Sequence, residues 1–309
     1  MPTILITGGT GLVGKALGQA LLDKGYRVII LSRQTDTKSA VSNLSYANWN
    51  VEKQTMDNEA IAHADYIIHL AGAGVAEKRW TQKRKQEIVD SRVMSIKLIV
   101  ESLKTIPNKV KAVVSASAIG WYLIPNPSPQ GGEGSGVRKF VETDPSANDF
   151  LGNTCKKWEE SIDPVTQLGK RLVKLRIGIV LSKDGGAMKE FLKPLKFGVA
   201  AILGNGKQII SWIHIDDLVR MFIAAIENEQ LTGVYNAVAP HPVSNKELTL
   251  ALAKSRKHFF IPVHVPSFLL KLMLGEMSIE VLKSSTVSCN KIQETGFQFN
   301  FPGILEAVE

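Results

Sequence analysis

Gly8, Gly11 and Gly14 recur at intervals of three within Thr7-Gly8-Gly9-Thr10-Gly11-Leu12-Val13-Gly14. Glycines at this spacing handle phosphate. A side chain at Gly8 would obstruct a tight turn, and one at Gly11 would block the approach of a pyrophosphate. Gly14 lets a helix pack closely on a sheet. The motif follows the apolar run Thr3-Ile4-Leu5-Ile6-Thr7 and opens a helical stripe of Leu12, Val13, Ala16, Leu17, Ala20 and Leu21 that stops at Gly25. Unpaired N–H groups of the first helical turn, at the positive end of its dipole, then face the phosphates of a dinucleotide. Thr7, Gly8, Gly9, Gly11, Leu12, Val13 and Gly14 are the expected contacts.

The end of the second β-type run, Tyr26 to Ser32, selects the nucleotide. An acidic residue there would bind the ribose hydroxyls of NAD. Ser32-Arg33 stands there instead, and the next acidic residue is Asp36. A guanidinium at that point suits the 2′-phosphate of NADP. A further run ends in His69-Leu70-Ala71-Gly72-Ala73-Gly74. Small residues there let a ligand approach the backbone, so Leu70, Ala71, Gly72 and Ala73 are expected beside the riboses. His69, inside an apolar strand, reads as a hydrogen-bonded structural residue.

The elements that must position these residues alternate. Strands are expected at Asp65–Leu70, Lys111–Ser115 and Leu172–Leu181, with a long helix from about Thr81 to Lys104. Such alternation predicts an α/β fold with a Rossmann-type doubly wound parallel sheet. Residues 1–240 form this domain and residues 241–309 a small appended C-terminal one. The loop Pro125–Gly136, rich in Pro, Gly and Ser, reads as a mobile excursion near the cleft.

Composition narrows the partners. In 309 residues there is no apolar run long enough for a span, and the first strand begins at Thr3, so neither a membrane partner nor a leader is expected. Cys155 and Cys289 are far apart, which fits a reducing, cytoplasmic setting without disulfides or a thiolate metal site. No metal is expected at His214, Asp216 and Asp217 either; Asp216 or Asp217 reads as a helix cap. The net charge of +8 suits a polyanionic cofactor. The basic run Lys78–Lys85 is interleaved with an apolar stripe and nearby acids, and reads as a solvated helix face rather than a nucleic-acid surface.

TGGTGLVG, HLAGAG and SASAIG, in this order, resemble the extended short-chain dehydrogenase/reductase superfamily of nucleotide-sugar epimerases and dehydratases. Further segments narrow the resemblance to atypical epimerase-like proteins related to bacterial YfcH, which carry a C-terminal domain of unknown function. They include residues 71–92, CKKWE (155–159), RIGIVLSKDGGAM (176–188) and LGNGKQIISWIHIDDL (203–218). The resemblance implies a Rossmann fold and a nicotinamide cofactor. It also implies a helical Tyr-x-x-x-Lys pair that moves a proton at substrate oxygen, helped by a serine. Ser117 matches that serine, and Ser115 precedes it on the strand. Aligned on Trp158-Glu159, however, Leu151 takes the tyrosine position and Cys155 the lysine position, and no Tyr-x-x-x-Lys occurs in the chain. Arg92 replaces an asparagine frequent on the preceding helix.

Tyr122, close behind Ser117, is the substitute acid/base candidate. Arg79 and Arg92 could clamp an anionic substrate group. The expected function is an NADP-binding oxidoreductase or epimerase acting on a small polar substrate. The alternative is a non-catalytic NADP-binding sensor or regulatory protein. A homodimer is compatible with either.

Overall fold

A computed structural model describes residues 1–34, 39–122 and 138–309. The Pro125–Gly136 excursion and Asp36 therefore lie outside the described residues.

β1 (Thr3–Thr7) is buried at every position, as an apolar parallel strand covered on both faces must be. α1 (Leu12–Asp23) turns Leu17 and Leu21 inward and is followed by Gly25 at φ +84°. That left-handed backbone ends helices cheaply only at glycine. β2 (Arg27–Ser32), β3 (Leu44–Asn50) and β4 (Thr55–Met56) extend the sheet on one side of β1. After α2 (Asn58–His63) the chain returns to the other side as β5 (Tyr66–His69). α3 (Gln82–Thr105), β6 (Ala112–Ala118), α4 (Phe150–Ile162), α5 (Pro164–Gln167) and β7 (Arg171–Ile177) then lead away from β1. Thr81 starts α3 where the sequence places it, its hydroxyl accepting from Arg84 N–H at 3.1 Å.

The strand expected over Leu172–Leu181 is two strands. β8 (Ile179–Ser182) leaves the main sheet at Gly178, where an added Cβ would lie 2.6 Å from the Ser211 carbonyl oxygen. Glycine alone permits that crossing, and the chain there exchanges one neighbouring strand for another. α6 (Gly186–Leu195), β9 (Val199–Leu203) and β10 (Ile209–Ile210) follow. Next comes β11 (Trp212–His214), the parallel partner of β8. α7 (Ile215–Glu227) is capped by neither Asp216 nor Asp217. His214 does this, Nδ1 accepting from Asp216 N–H at 3.3 Å. Asp217, fully buried, instead accepts from the backbone N–H groups of Asn300 and Phe301, both at 2.9 Å, and so ties down the C-terminal segment.

β12 (Gly233–Ala237) completes an eight-stranded sheet of order β12-β7-β6-β5-β1-β2-β3-β4, parallel except at β3–β4. Strand order reverses between β1 and β5, the switch point where doubly wound sheets bind ligands.

Beyond it lie β13 (Val243–Ser244), α8 (Asn245–Ser255), β14 (Ile261–Val265) and α9 (Ser267–Leu274). The split expected at residue 240 does not describe the packing. β14 pairs with β9 and β13 with β10. Leu181, Met188 and Trp212 share a core with Leu248, Leu252 and Val308. Val287, Cys289 and Ile292 belong to the main core. The appended unit is thus built from residues on both sides of 240. No described helix is long and apolar enough to cross a membrane.

Candidate functional site

The turn from β1 into α1 is built without side chains because there is no room for them. Gly8 has φ +69°, and a Cβ on it would lie 2.8 Å from the Leu70 carbonyl carbon. A Cβ on Gly14 would lie 2.3 Å from the Gly8 oxygen, so Gly14 seats the helix on the turn itself. Gly9 is pressed on Ile30. Gly11 differs: an added Cβ meets only the Gly8 oxygen, at 3.3 Å, and the residue is exposed. It is also the N-cap of α1, with no side chain covering the first turn. The amides of Leu12, Val13 and Gly14 therefore lie at a helix start that a side chain does not cap, at the mouth of the switch point.

Thr7 supports this cradle from beneath. Fully buried, its Oγ1 accepts from Leu70 N–H at 3.1 Å and Ala71 N–H at 3.2 Å, which locks the ends of β1 and β5 together. Ser32 ends β2, its hydroxyl accepting from Gln34 N–H at 3.1 Å, and Arg33 is exposed just beyond. Gly185 and Gly186, at the start of α6, reach Leu12: a Cβ at Gly186 would come within 3.0 Å of its side chain.

The segment after β5 is held by α3. Ser91 Oγ accepts from Ala73 N–H at 2.9 Å. Arg92 Nη1 donates to the Ala73 and Ile88 carbonyls at 3.1 and 2.8 Å. The guanidinium is buried between Gly72 and the Trp158 ring, 4.8 Å from its centroid. Burial, together with the Arg84 charge, lowers its pKa. Its Nε and Nη2 find no acceptor among the described residues. Arg79 is packed against Gly275, just beyond α9. Arg84 turns inward to Gly74 O and Glu77, and Lys85 pairs with Glu276, so these two members of the basic run serve the fold while Lys78 and Lys83 are exposed.

His69 is fully buried. Ser95 Oγ gives its proton to the Ser91 or Arg92 carbonyl, at 2.7 and 2.9 Å, so His69 Nε2–H is the donor in the 2.9 Å contact between them. Nδ1 is left bare. Burial, then the Arg92 charge, lowers the ring pKa to about 3.

On the other wall, Leu151 and Cys155 of α4 face Gly120: a Cβ there would lie 3.2 Å from Leu151 Cβ and 3.6 Å from Cys155 Sγ. Both positions thus meet the loop that leaves β6. Burial pushes the Cys155 thiol up to about 12. Tyr122 is not delivered into the cleft. It lies in the core, stacked on Phe140, its hydroxyl donating to Asn236 Oδ1 at 2.6 Å and accepting from Arg176 Nη1 at 3.1 Å. Burial pushes it up to about 12 as well. Ser115 is also buried, with its hydroxyl on the Ala116 carbonyl.

Ser117 lies inside β6, which runs on past the expected end at Ser115 to Ala118, and its one proton goes to Glu159 Oε1 at 2.7 Å. It therefore offers a ligand lone pairs, not a donor. Glu159 is itself buried and held by Arg176 through both oxygens, at 2.8 and 3.1 Å, with the guanidinium over Trp121. Sequence reasoning missed this pair. Glu159 and Arg176 lie 17 positions apart and only the packing of α4 on β7 joins them.

A parallel sheet reversing at β1, with a glycine-built helix start at the reversal, defines a Rossmann-type protein of the short-chain dehydrogenase/reductase kind. Comparison with known proteins gives the family. Residues 4–144 match the NAD dependent epimerase/dehydratase family, and residues 265–309 match a domain of unknown function. An epimerase family protein of Staphylococcus saprophyticus is 37% identical, over 100% of this chain and 99% of its own length. The chain belongs to this epimerase family. The human epimerase family protein SDR39U1, solved with NADPH, superposes with a TM-score of 0.84 at 27% identity, over 99% of this chain and 97% of the human one. The UDP-glucuronic acid 4-epimerase of Bacillus cereus shares the fold, with a TM-score of 0.79 at 18% identity over 99% and 96% of the two chains.

Proposed function

We propose that this chain binds NADP(H) at the start of α1 and holds it without the tyrosine-based proton transfer of its superfamily. The observation that carries this reading is an intact phosphate cradle opposite Leu151 and Cys155, the two side chains facing Gly120.

The amides of Leu12, Val13 and Gly14 receive the pyrophosphate, and Leu70 to Ala73 flank the riboses. Arg33, exposed beyond β2, takes the 2′-phosphate. The NADPH in the human relative supports this choice over NAD. When bound, the nicotinamide supplies or accepts a hydride.

Arg92 stands close enough to Cys155 for its charge to bear on the thiol. It brings positive charge to the place where the superfamily has its lysine ammonium. Its unpaired edge suits the nicotinamide ribose or an anionic group of a small ligand. Among the described residues nothing comparable replaces the tyrosine. Tyr122 spends its proton on Asn236, and Ser117 on Glu159. A sensing or carrier role for the NADP-loaded protein fits this geometry best, in the reducing cytoplasm suited to two buried free thiols.

Arg92 favours one second reading. A guanidinium can polarise a carbonyl oxygen as well as clamp a carboxylate, so an oxidoreductase or epimerase reaction on a small anionic substrate would run through it. NADPH consumption over a panel of keto acids, neutral ketones and nucleotide sugars separates the two. The first reading expects NADPH to bind and none of the panel to be turned over. Turnover confined to anionic carbonyls, lost in Arg92→Lys with NADPH affinity retained, would replace it with the second.

A further inference from the structure

The appended unit carries a two-stranded ribbon whose outer strand, β14, is exposed along most of its length. β9 and β14 run parallel in the register Val199↔Ile261, Ala201↔Val263 and Leu203↔Val265. Period-two alternation puts these six side chains on one face. The opposite face of β9, Ala200 and Ile202, is buried beneath α6 and α8. Ile261 and Val263 are instead exposed. At the start of the ribbon Phe197 is 86% and Phe259 84% exposed, close together because Gly198 O accepts from Ile261 N–H at 2.8 Å. At its far end, where Gly204 meets Ser267, α9 begins. That helix buries Leu270 but exposes Phe268, Leu269, Leu272 and Met273. Monomeric surfaces rarely leave so much contiguous apolar area without a partner.

The charges around it identify the partner. From Glu247 to Glu276 the chain has no acidic residue but carries Lys254, Arg256, Lys257 and Lys271. Between Glu190 and Asp216 it again has none, with Lys196 and Lys207 beside Lys193, which is paired with Glu190. A second copy docked face to face would bring these cations against their own images. An anionic bilayer would instead receive the aromatic and aliphatic side chains at its headgroup boundary and attract the cations around them.

We propose that this face is a peripheral docking site for membranes rich in anionic lipid, with Phe197 and Phe259 as the inserting tips. It would replace the expectation of no membrane partner. That expectation came from a search for one long apolar run, and this surface is assembled from separate short segments.

Flotation of the full chain with phosphatidylglycerol/phosphatidylcholine vesicles, and with phosphatidylcholine alone, tests it. The protein should float with the anionic vesicles only, and less as salt rises. Phe197→Ser/Phe259→Ser and, separately, Lys254→Gln/Arg256→Gln/Lys257→Gln should each keep the wild-type melting temperature, since these side chains are exposed. The charge variant should lower partitioning on the order of a hundred-fold. Absence of wild-type flotation, or equal flotation of all three proteins, overturns the proposal. So does a wild-type dimer in sedimentation that Phe197→Ser/Phe259→Ser converts to monomer, because a second copy would then cover the face.

Discussion

Glu159 and Arg176 form a buried ion pair whose worth lies in being complete. Removing one charge strands the other in a medium that solvates it poorly, which costs about 3–5 kcal/mol. Glu159→Gln should therefore lose about that much in urea unfolding. Lys156→Ala, on an exposed partner of Glu160 on the same helix, should change stability by less than about 0.5 kcal/mol. Equal effects would mean that the pair is not closed as described. His69 makes a prediction in pH. The folded chain keeps the ring neutral down to about pH 3, whereas the unfolded chain binds a proton near the ordinary histidine value of 6.5. Its contribution to stability is therefore complete above pH 6.5. Below that it falls by up to about 1.4 kcal/mol per pH unit until the folded value is reached. Melting between pH 6.5 and 5, where carboxylates still carry charge, should show the slope, and His69→Leu should flatten it; an unchanged slope would contradict the assignment.

Elements were legible in the sequence to the extent that local pattern decides them. β1 and α1 are set by an apolar run, a helical stripe and glycines that admit no Cβ, and all of these are written within 25 residues. β3 was not visible because LSYANWN buries only Ala47 and Trp49 and owes its pairing to β2. The fate of Tyr122 was equally hidden, being decided by Asn236 across 114 positions. Leu172–Leu181 reads as one strand because both halves are β-rich, and the break at Gly178 comes from a distant carbonyl at Ser211. Gly178→Ala should test that cause. With backbone at 2.6 Å the strands must shift, at a cost of about 1–3 kcal/mol, read as a lowered urea midpoint. Gly169→Ala makes a useful contrast, since its Cβ would meet nothing and the strain there comes from φ +69° alone.

The molecule as a whole joins a dinucleotide-binding sheet to a unit assembled from both sides of residue 240. Its sequence announces the phosphate cradle clearly and the chemistry poorly, because the cradle is backbone and the chemistry depends on which side chains packing leaves free. Everything proposed for function rests on a pyrophosphate lying against the start of α1 with a 2′-phosphate at Arg33. Calorimetric titration of NADPH and NADH into the wild-type chain and Arg33→Ala tests this most directly. NADPH should bind the wild type more tightly than NADH, and the substitution should weaken NADPH by about ten-fold or more while leaving NADH nearly unchanged. Heat from neither dinucleotide, or equal losses for both in Arg33→Ala, would contradict it.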